Sequence, residues 1–120
     1  MSRILIVDDD SQVLHLFEAF LGRKGVVVDA TFSAEEALKL LGNNKYDLII
    51  LDIRLQGMNG VELALKIREE DKDVKIVGMT GYYSPIFTQF DHRLAGFDVV
   101  FEKPIGYKDF IAFLEEGGFI

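Results

Sequence analysis

Tyr46-Asp47-Leu48-Ile49-Ile50-Leu51-Asp52 carries a run of large apolar residues, Leu48 to Leu51, closed by a carboxylate. A short apolar run without polar alternation reads as a strand buried on both faces, so Asp52 stands at the mouth of a sheet. The earlier run Ile4-Leu5-Ile6-Val7 ends the same way, in Asp8-Asp9-Asp10. If these strands are parallel neighbours, several carboxylates converge on one spot. Two carboxylates about 4 Å apart repel by roughly 1 kcal/mol in water and about 4 kcal/mol at an effective dielectric of 20, so a positive group belongs among them.

Working outward, further strand-length apolar runs lie at Val26 to Val28, Val74 to Met79 and Val99 to Phe101. Segments of helical period separate them. Ser11 to Lys24 places Val13, Leu14, Leu16, Phe17, Phe20 and Leu21 on one broad face, with Gly25 as the stop. Ser33 with Glu36 three residues later forms a capping box for a second helix, whose stripe is Ala34, Ala37, Leu38 and Leu41. A third helix starts at Asn59 or Gly60 and runs to about Glu70, with Leu63, Ala64 and Ile67 inward. The fourth, Ser84 to Leu94, is short of strong helix formers and contains Pro85, Thr88, Asp91 and His92. A fifth, Tyr107 to Glu116, turns Phe110, Phe113 and Leu114 inward. Such alternation predicts an α/β fold, a parallel sheet covered by helices on both faces. Ligands of these sheets bind beyond the carboxyl ends of the strands, where Asp8, Asp9, Asp10, Asp52, Thr80 and Lys103 all fall.

A length of 120 residues with 49% hydrophobic content fits one compact domain, residues 1–120, with a proper core. Its 13 basic against 20 acidic residues leave a charge of -7, which opposes nonspecific binding to nucleic acid or an anionic membrane surface. The absence of cysteine excludes disulfides, thiolate chemistry and Cys-ligated zinc, and two isolated histidines make no zinc site. No run is long enough for a signal peptide or a membrane helix, so a cytoplasmic location is expected. No repeat, low-complexity tract or linker marks a second domain.

Acidic residues after the first and third strands can hold a hard divalent cation; the alternative is that Asp8 to Asp10 cap the first helix. Thr80 offers a hydroxyl, and Gly81 lets the backbone N–H approach a ligand, although a threonine there also suits a turn. Lys103, followed by Pro104, is either a solvated charge or the ammonium that neutralises a phosphoryl oxygen.

Together these residues resemble the receiver domains of two-component response regulators, over essentially the whole chain. The resemblance rests on Ile6-Val7-Asp8-Asp9-Asp10, Leu51-Asp52-Ile53-Arg54-Leu55-Gln56-Gly57-Met58-Asn59-Gly60, Met79-Thr80-Gly81 and Lys103-Pro104. It implies a doubly wound five-stranded parallel sheet of flavodoxin-like order 2-1-3-4-5 with five helices. It further implies Asp52 as phosphoacceptor and Mg²⁺ as cofactor, with Asp9, Asp52 and the Arg54 carbonyl as ligands and Asp8 acting through water. Thr80 would hydrogen-bond the phosphoryl group, Lys103 would pair with it, and a cis bond before Pro104 would orient the lysine. The implied partners are a histidine kinase or histidine phosphotransfer protein as donor and a downstream output protein or effector domain. The output surface would comprise the fourth helix, fifth strand and fifth helix, through which a homodimer could also form. His15, beside Glu18, and His92 are expected to be surface residues without function.

Some positions depart from the family pattern. Gln56 stands where proline is common, Gly81 where alanine is common, and Val100 where many receivers carry an aromatic switch residue. Phe101 follows, on the opposite face of the strand. The interval from Thr80 to Lys103 is about one residue longer than usual in the family. Arg54 and Tyr82 either overhang the phosphoryl group and hinder attacking water or point to solvent. Three rivals remain: a Mg²⁺-dependent phosphate-ester hydrolase lacks its second Asp, since Ile53 and Arg54 follow Asp52; a flavin carrier lacks a phosphate-cradling loop; and a receiver-like binding module would keep the fold without the chemistry.

Overall fold

The computed structural model describes residues 2–55, 58–81, 96–103 and 106–120. The elements in order are β1 (Arg3–Val7), α1 (Ser11–Arg23), β2 (Val27–Thr31), α2 (Ala34–Asn43), β3 (Leu48–Asp52), α3 (Gly60–Glu70), β4 (Lys75–Thr80), β5 (Val99–Glu102) and α4 (Tyr107–Glu116). All neighbours pair in parallel, in the order β2-β1-β3-β4-β5. This is the expected doubly wound, flavodoxin-like sheet. Among the described residues there are four helices; the expected helix at Ser84 to Leu94 lies outside them.

The pleat sorts alternate residues into two cores. Leu5, Val7, Ile49, Leu51 and Ile76 face one side, under Ala34 and Ala37 of α2 and Leu63, Ala64 and Ile67 of α3. Ile4, Ile6, Leu48, Ile50, Val77 and Met79 face the other, under Leu14 and Leu21 of α1 and Phe110 and Leu114 of α4. Each buried Val, Leu, Ile, Phe or Met side chain among them contributes about 1.5–3 kcal/mol, and β1 and β3 supply so many because both their faces are covered.

Helix ends follow local chemistry. The Asp10 carboxylate accepts from Gln12 N at 2.9 Å and caps α1. The helix stops where Gly25 adopts φ +75°, while Gly25 N and Val26 N bond back to Gly22 O and Leu21 O. Ser33 Oγ accepts from Glu36 N at 3.2 Å, but the Glu36 carboxylate takes the Thr31 hydroxyl at 2.8 Å instead of closing the capping box. Leu16 is a correction: it is 72% exposed, because it lies two residues from buried Leu14 and so points away from the sheet.

β2 is shifted from its expected span. It runs through Asp29 and Ala30 to Thr31, since its register with β1 continues to the Val7–Thr31 pair. Asp29 is tolerated in the strand because Arg3 Nη2 at 2.9 Å and the Tyr46 hydroxyl at 2.6 Å both donate to it. Burial and then that bond push the Tyr46 pKa up to about 12.

Arg68 of α3 ties the start of β5 to the rest. Its guanidinium donates to Asp98 Oδ2 at 2.8 Å, to Gly96 O at 3.0 Å, to Lys72 O at 3.2 Å and to Val74 O. Asp98 Oδ2 also accepts from Ile76 N at 2.8 Å, so one carboxylate joins α3, β4 and β5. Gly96, at φ +92°, is required: a Cβ there would meet Arg68 Cγ at 2.8 Å.

Candidate functional site

Val7 pairs with Leu51, so Asp8, just past β1, and Asp52, the last residue of β3, stand at the same level. Ladder-type bonds continue past the strands and fix the backbone of the site. Asp8 N donates to Thr31 O at 3.1 Å, Ile53 N to Met79 O at 2.8 Å, and Lys103 N to Thr80 O at 2.7 Å. The carboxylates and the lysine thus sit on a rigid sheet edge, as a preorganised site requires.

The acidic triplet divides its work. Asp10 caps α1, Asp9 is exposed, and Asp8 is fully buried. Asp8 Oδ1 accepts from Asp10 N at 2.9 Å and Oδ2 from Lys103 Nζ at 2.8 Å. Asp52, almost buried, accepts from Arg54 N at 3.1 Å on Oδ1 and faces Lys103 Nζ at 3.3 Å on Oδ2. Lys103 is therefore the positive group that the crowded carboxylates demanded.

Burial raises the Asp52 pKa, with the charge of Asp8 acting the same way, while the Arg54 N–H and Lys103 oppose them. For Lys103, burial works downward, but the bond and charge of Asp8, followed by those of Asp52, prevail and raise it. Each group thus holds its proton more firmly than in water, and the ammonium stays charged.

Asp8, Asp9 and Asp52 offer carboxylate oxygens that all lie within 4.8 Å of one another. Oxygens around a six-coordinate cation with bonds of 2.0–2.1 Å span up to about 4.2 Å, so small side-chain adjustments bring this set onto a hard divalent ion. Thr80, at the end of β4, is buried. Gly81 is exposed, and a Cβ there would sit 3.7 Å from Lys103 Cβ and Cδ, so alanine fits equally well. The Arg54 side chain and His15 are exposed, whereas Tyr82, His92 and the bond before Pro104 lie outside the described residues.

Val100 packs with the core beneath α2 and α3, whereas Phe101 packs on the α1 and α4 side. Phe101 meets Phe110 edge-on at 5.7 Å and Phe113 at 5.8 Å, and Phe110 meets Phe17 of α1 at 5.2 Å. One contact was hidden from the sequence. Gly60, legible only as a helix start, packs against the Asp52–Ile53 peptide: a Cβ on it would lie 2.4 Å from Asp52 O. The only signal is a glycine directly after the capping Asn59, where most residues are tolerated.

A family model described as response regulator receiver domain matches residues 4–115. The chain belongs to this family. The receiver domain is 30% identical to the response regulator MprA of Mycobacterium sp. over 114 residues, covering 92% of this chain and 47% of that protein. It spans about a third to a half of the length of the curated relatives it matches, from 35% to 49%. Among solved structures it is similar to a two-component response regulator from Clostridium difficile, at TM-score 0.90 and 31% identity over 98% of this chain and 95% of that one. It is also similar to the response regulator TrrA of Thermotoga maritima in complex with Mg²⁺ and BeF, at TM-score 0.85 and 32% identity, covering 98% and 99%. TrrA has further been solved with the histidine kinase ThkA. The receiver domain is a signalling domain of the two-component type. No helix among the described residues is long and apolar enough to cross a membrane.

Proposed function

We propose that Asp52 is the phosphoacceptor of a Mg²⁺-dependent receiver, phosphorylated by a histidine kinase or histidine phosphotransfer protein. The observation that carries this reading is the Asp52 carboxylate held beside Asp8 and the Lys103 ammonium, brought together from the ends of β3, β1 and β5. Asp8, Asp9, Asp52 and the Arg54 carbonyl would hold Mg²⁺, with Asp8 acting through water. The bound ion would supply charge neutralisation for the carboxylates and the incoming phosphoryl oxygens.

The Asp52 oxygen attacks phosphorus, and the bond between phosphorus and the donor imidazole nitrogen breaks. Its orientation comes from the Arg54 N–H on Oδ1. Lys103 turns from the carboxylates to a phosphoryl oxygen, and the Thr80 hydroxyl donates to another. Such transfer depends mainly on positioning and charge neutralisation rather than on a strong base. The exposed Arg54 side chain overhangs the product and slows the attack of water, which sets the rate of autodephosphorylation.

The complex of TrrA with ThkA supports a histidine kinase as partner. Phosphorylation then biases the surface formed by β5 and α4, read by an output protein, an effector domain or a second copy of the chain. Residues 1–120 act as one receiver domain in the cytoplasm.

Incubation with acetyl phosphate and Mg²⁺, followed by intact mass, tests the proposal. It expects a gain of one phosphoryl group that disappears in Asp52→Asn and without Mg²⁺. Turnover of phosphate esters would favour a hydrolase, and no reaction at all would leave a binding module.

A further inference from the structure

We propose that Gly60 is a positioning residue for the Asp52 nucleophile, acting through the side chain it lacks; this rests on the reading of Asp52 as phosphoacceptor. Gly60 opens α3 and donates its N–H to Ile53 O at 2.9 Å. A Cβ on it would meet Asp52 O at 2.4 Å, Ile53 Cα at 2.7 Å and Asp52 C at 3.1 Å. All three obstacles are backbone atoms of the nucleophile and its neighbour, so no rotamer change relieves them.

The backbone conformation of Gly60 is not the reason for a glycine. Among the described residues the glycines with positive φ are Gly25, Gly96 and Gly118, and Gly60 has helical geometry open to alanine. What the position requires is closeness. Bringing a Cβ from 2.4 Å to an ordinary contact of 3.4 Å separates the start of α3 from the end of β3 by about 1 Å. Neither side yields freely. α3 is anchored by the Asn59 cap and by buried Leu63, Ala64 and Ile67, while Ile53 N is bonded to Met79 O. The strain therefore falls on the turn at Asp52 to Arg54, which contains the 3.1 Å bond that orients the carboxylate. A misplacement of about 1 Å at a reacting group can cost roughly 100-fold in rate.

A matched control exists in Gly78. Its Cβ would also be crowded, at 3.0 Å and 3.1 Å from the Phe97 ring and 3.2 Å from Ile53 Cδ1, but by side chains alone and on the opposite face of the sheet from Asp52. Gly60→Ala and Gly78→Ala therefore both lower stability, and Gly60→Ala alone displaces the nucleophile.

The test measures the limiting rate of phosphorylation at saturating acetyl phosphate and Mg²⁺, with the half-saturating concentrations and thermal midpoint of each variant. Gly60→Ala is expected to lose about 100-fold in limiting rate while folded, and Gly78→Ala to lose thermal stability with its rate within about threefold of wild type. Equal slowing of the two would show general destabilisation and overturn the proposal, as would a wild-type rate in Gly60→Ala. Should Gly60→Ala not fold in dilute buffer, it is compared with wild type and Gly78→Ala in a buffer containing an osmolyte such as sucrose, which favours the folded state of each. A rate several-fold below wild type supports the proposal and an unchanged one overturns it. A wild-type chain that takes up no phosphoryl group removes the phosphoacceptor reading itself, and this role with it.

Discussion

Lys103 Nζ stands 2.8 Å from Asp8 Oδ2, closer than its 3.3 Å to Asp52, so without a cation the lysine belongs first to the buried aspartate. Removing it leaves two carboxylates uncompensated beside each other. Lys103→Ala is expected to destabilise the domain by about 3 kcal/mol, the low end for a broken buried pair because the ammonium keeps some exposure. Urea denaturation in a chelating buffer measures this, and the loss should shrink when Mg²⁺ is added.

Divalent cations should also stabilise the wild-type fold. A ligand that binds only the folded chain at 100 times its dissociation constant adds about 2.7 kcal/mol. Thermal melts with increasing Mg²⁺ are expected to shift upward, and Asp9→Asn to abolish the shift. An unaltered response in Asp9→Asn would exclude that carboxylate as a ligand.

Asp52 makes stability depend on pH. Its folded pKa lies above the unfolded value of 3.8, so the native state binds the proton more tightly. Stability from this group is full below 3.8 and falls as pH rises through the interval up to the folded pKa. With Mg²⁺ chelated, Asp52→Asn is expected to be more stable than wild type at pH 7, and the gap to close as pH falls below 3.8. A variant less stable than wild type at pH 7 would contradict the assignment.

Truncation of Arg54 tests the shielding of the phosphorylated state. Arg54→Ala should speed phosphate loss several-fold while leaving the thermal midpoint nearly unchanged, because its side chain is exposed. Following the phosphorylated mass over time gives the rate, and no acceleration would remove the shield.

Arg68 serves the scaffold instead. Arg68→Met keeps the stem but removes the guanidinium from the carbonyls of Gly96, Lys72 and Val74 and from Asp98, which retains the Ile76 N–H. A cost of about 2–3 kcal/mol is expected from the loss of a charged hydrogen-bond donor, measurable by denaturation.

The sequence made the two central strands legible because β1 and β3 are covered on both faces, which leaves the unbroken runs ending in Asp8 and Asp52. β2 was harder, since an edge strand can carry Asp29 once Arg3 and Tyr46 come to meet it. The site residues could be named because each stands at or just past the end of a strand. Their division of labour could not: nothing in Asp8-Asp9-Asp10 tells which one caps, which one faces solvent and which one is buried under a lysine 95 residues away. Contacts between distant backbones, such as Gly60 on Asp52, leave no periodic trace at all.

β5 is held at one end by Asp98, which bonds both Arg68 and Ile76 N, while its other end, tied by Lys103 N to Thr80 O, delivers Lys103 to the carboxylates. Phe101 lies between these two ends and contacts Phe110 and Phe113 of α4, so a pull on Lys103 is expected to be felt at those rings. With Val100 where many receivers carry a ring, the aromatic side of the sheet is where phosphorylation is expected to register.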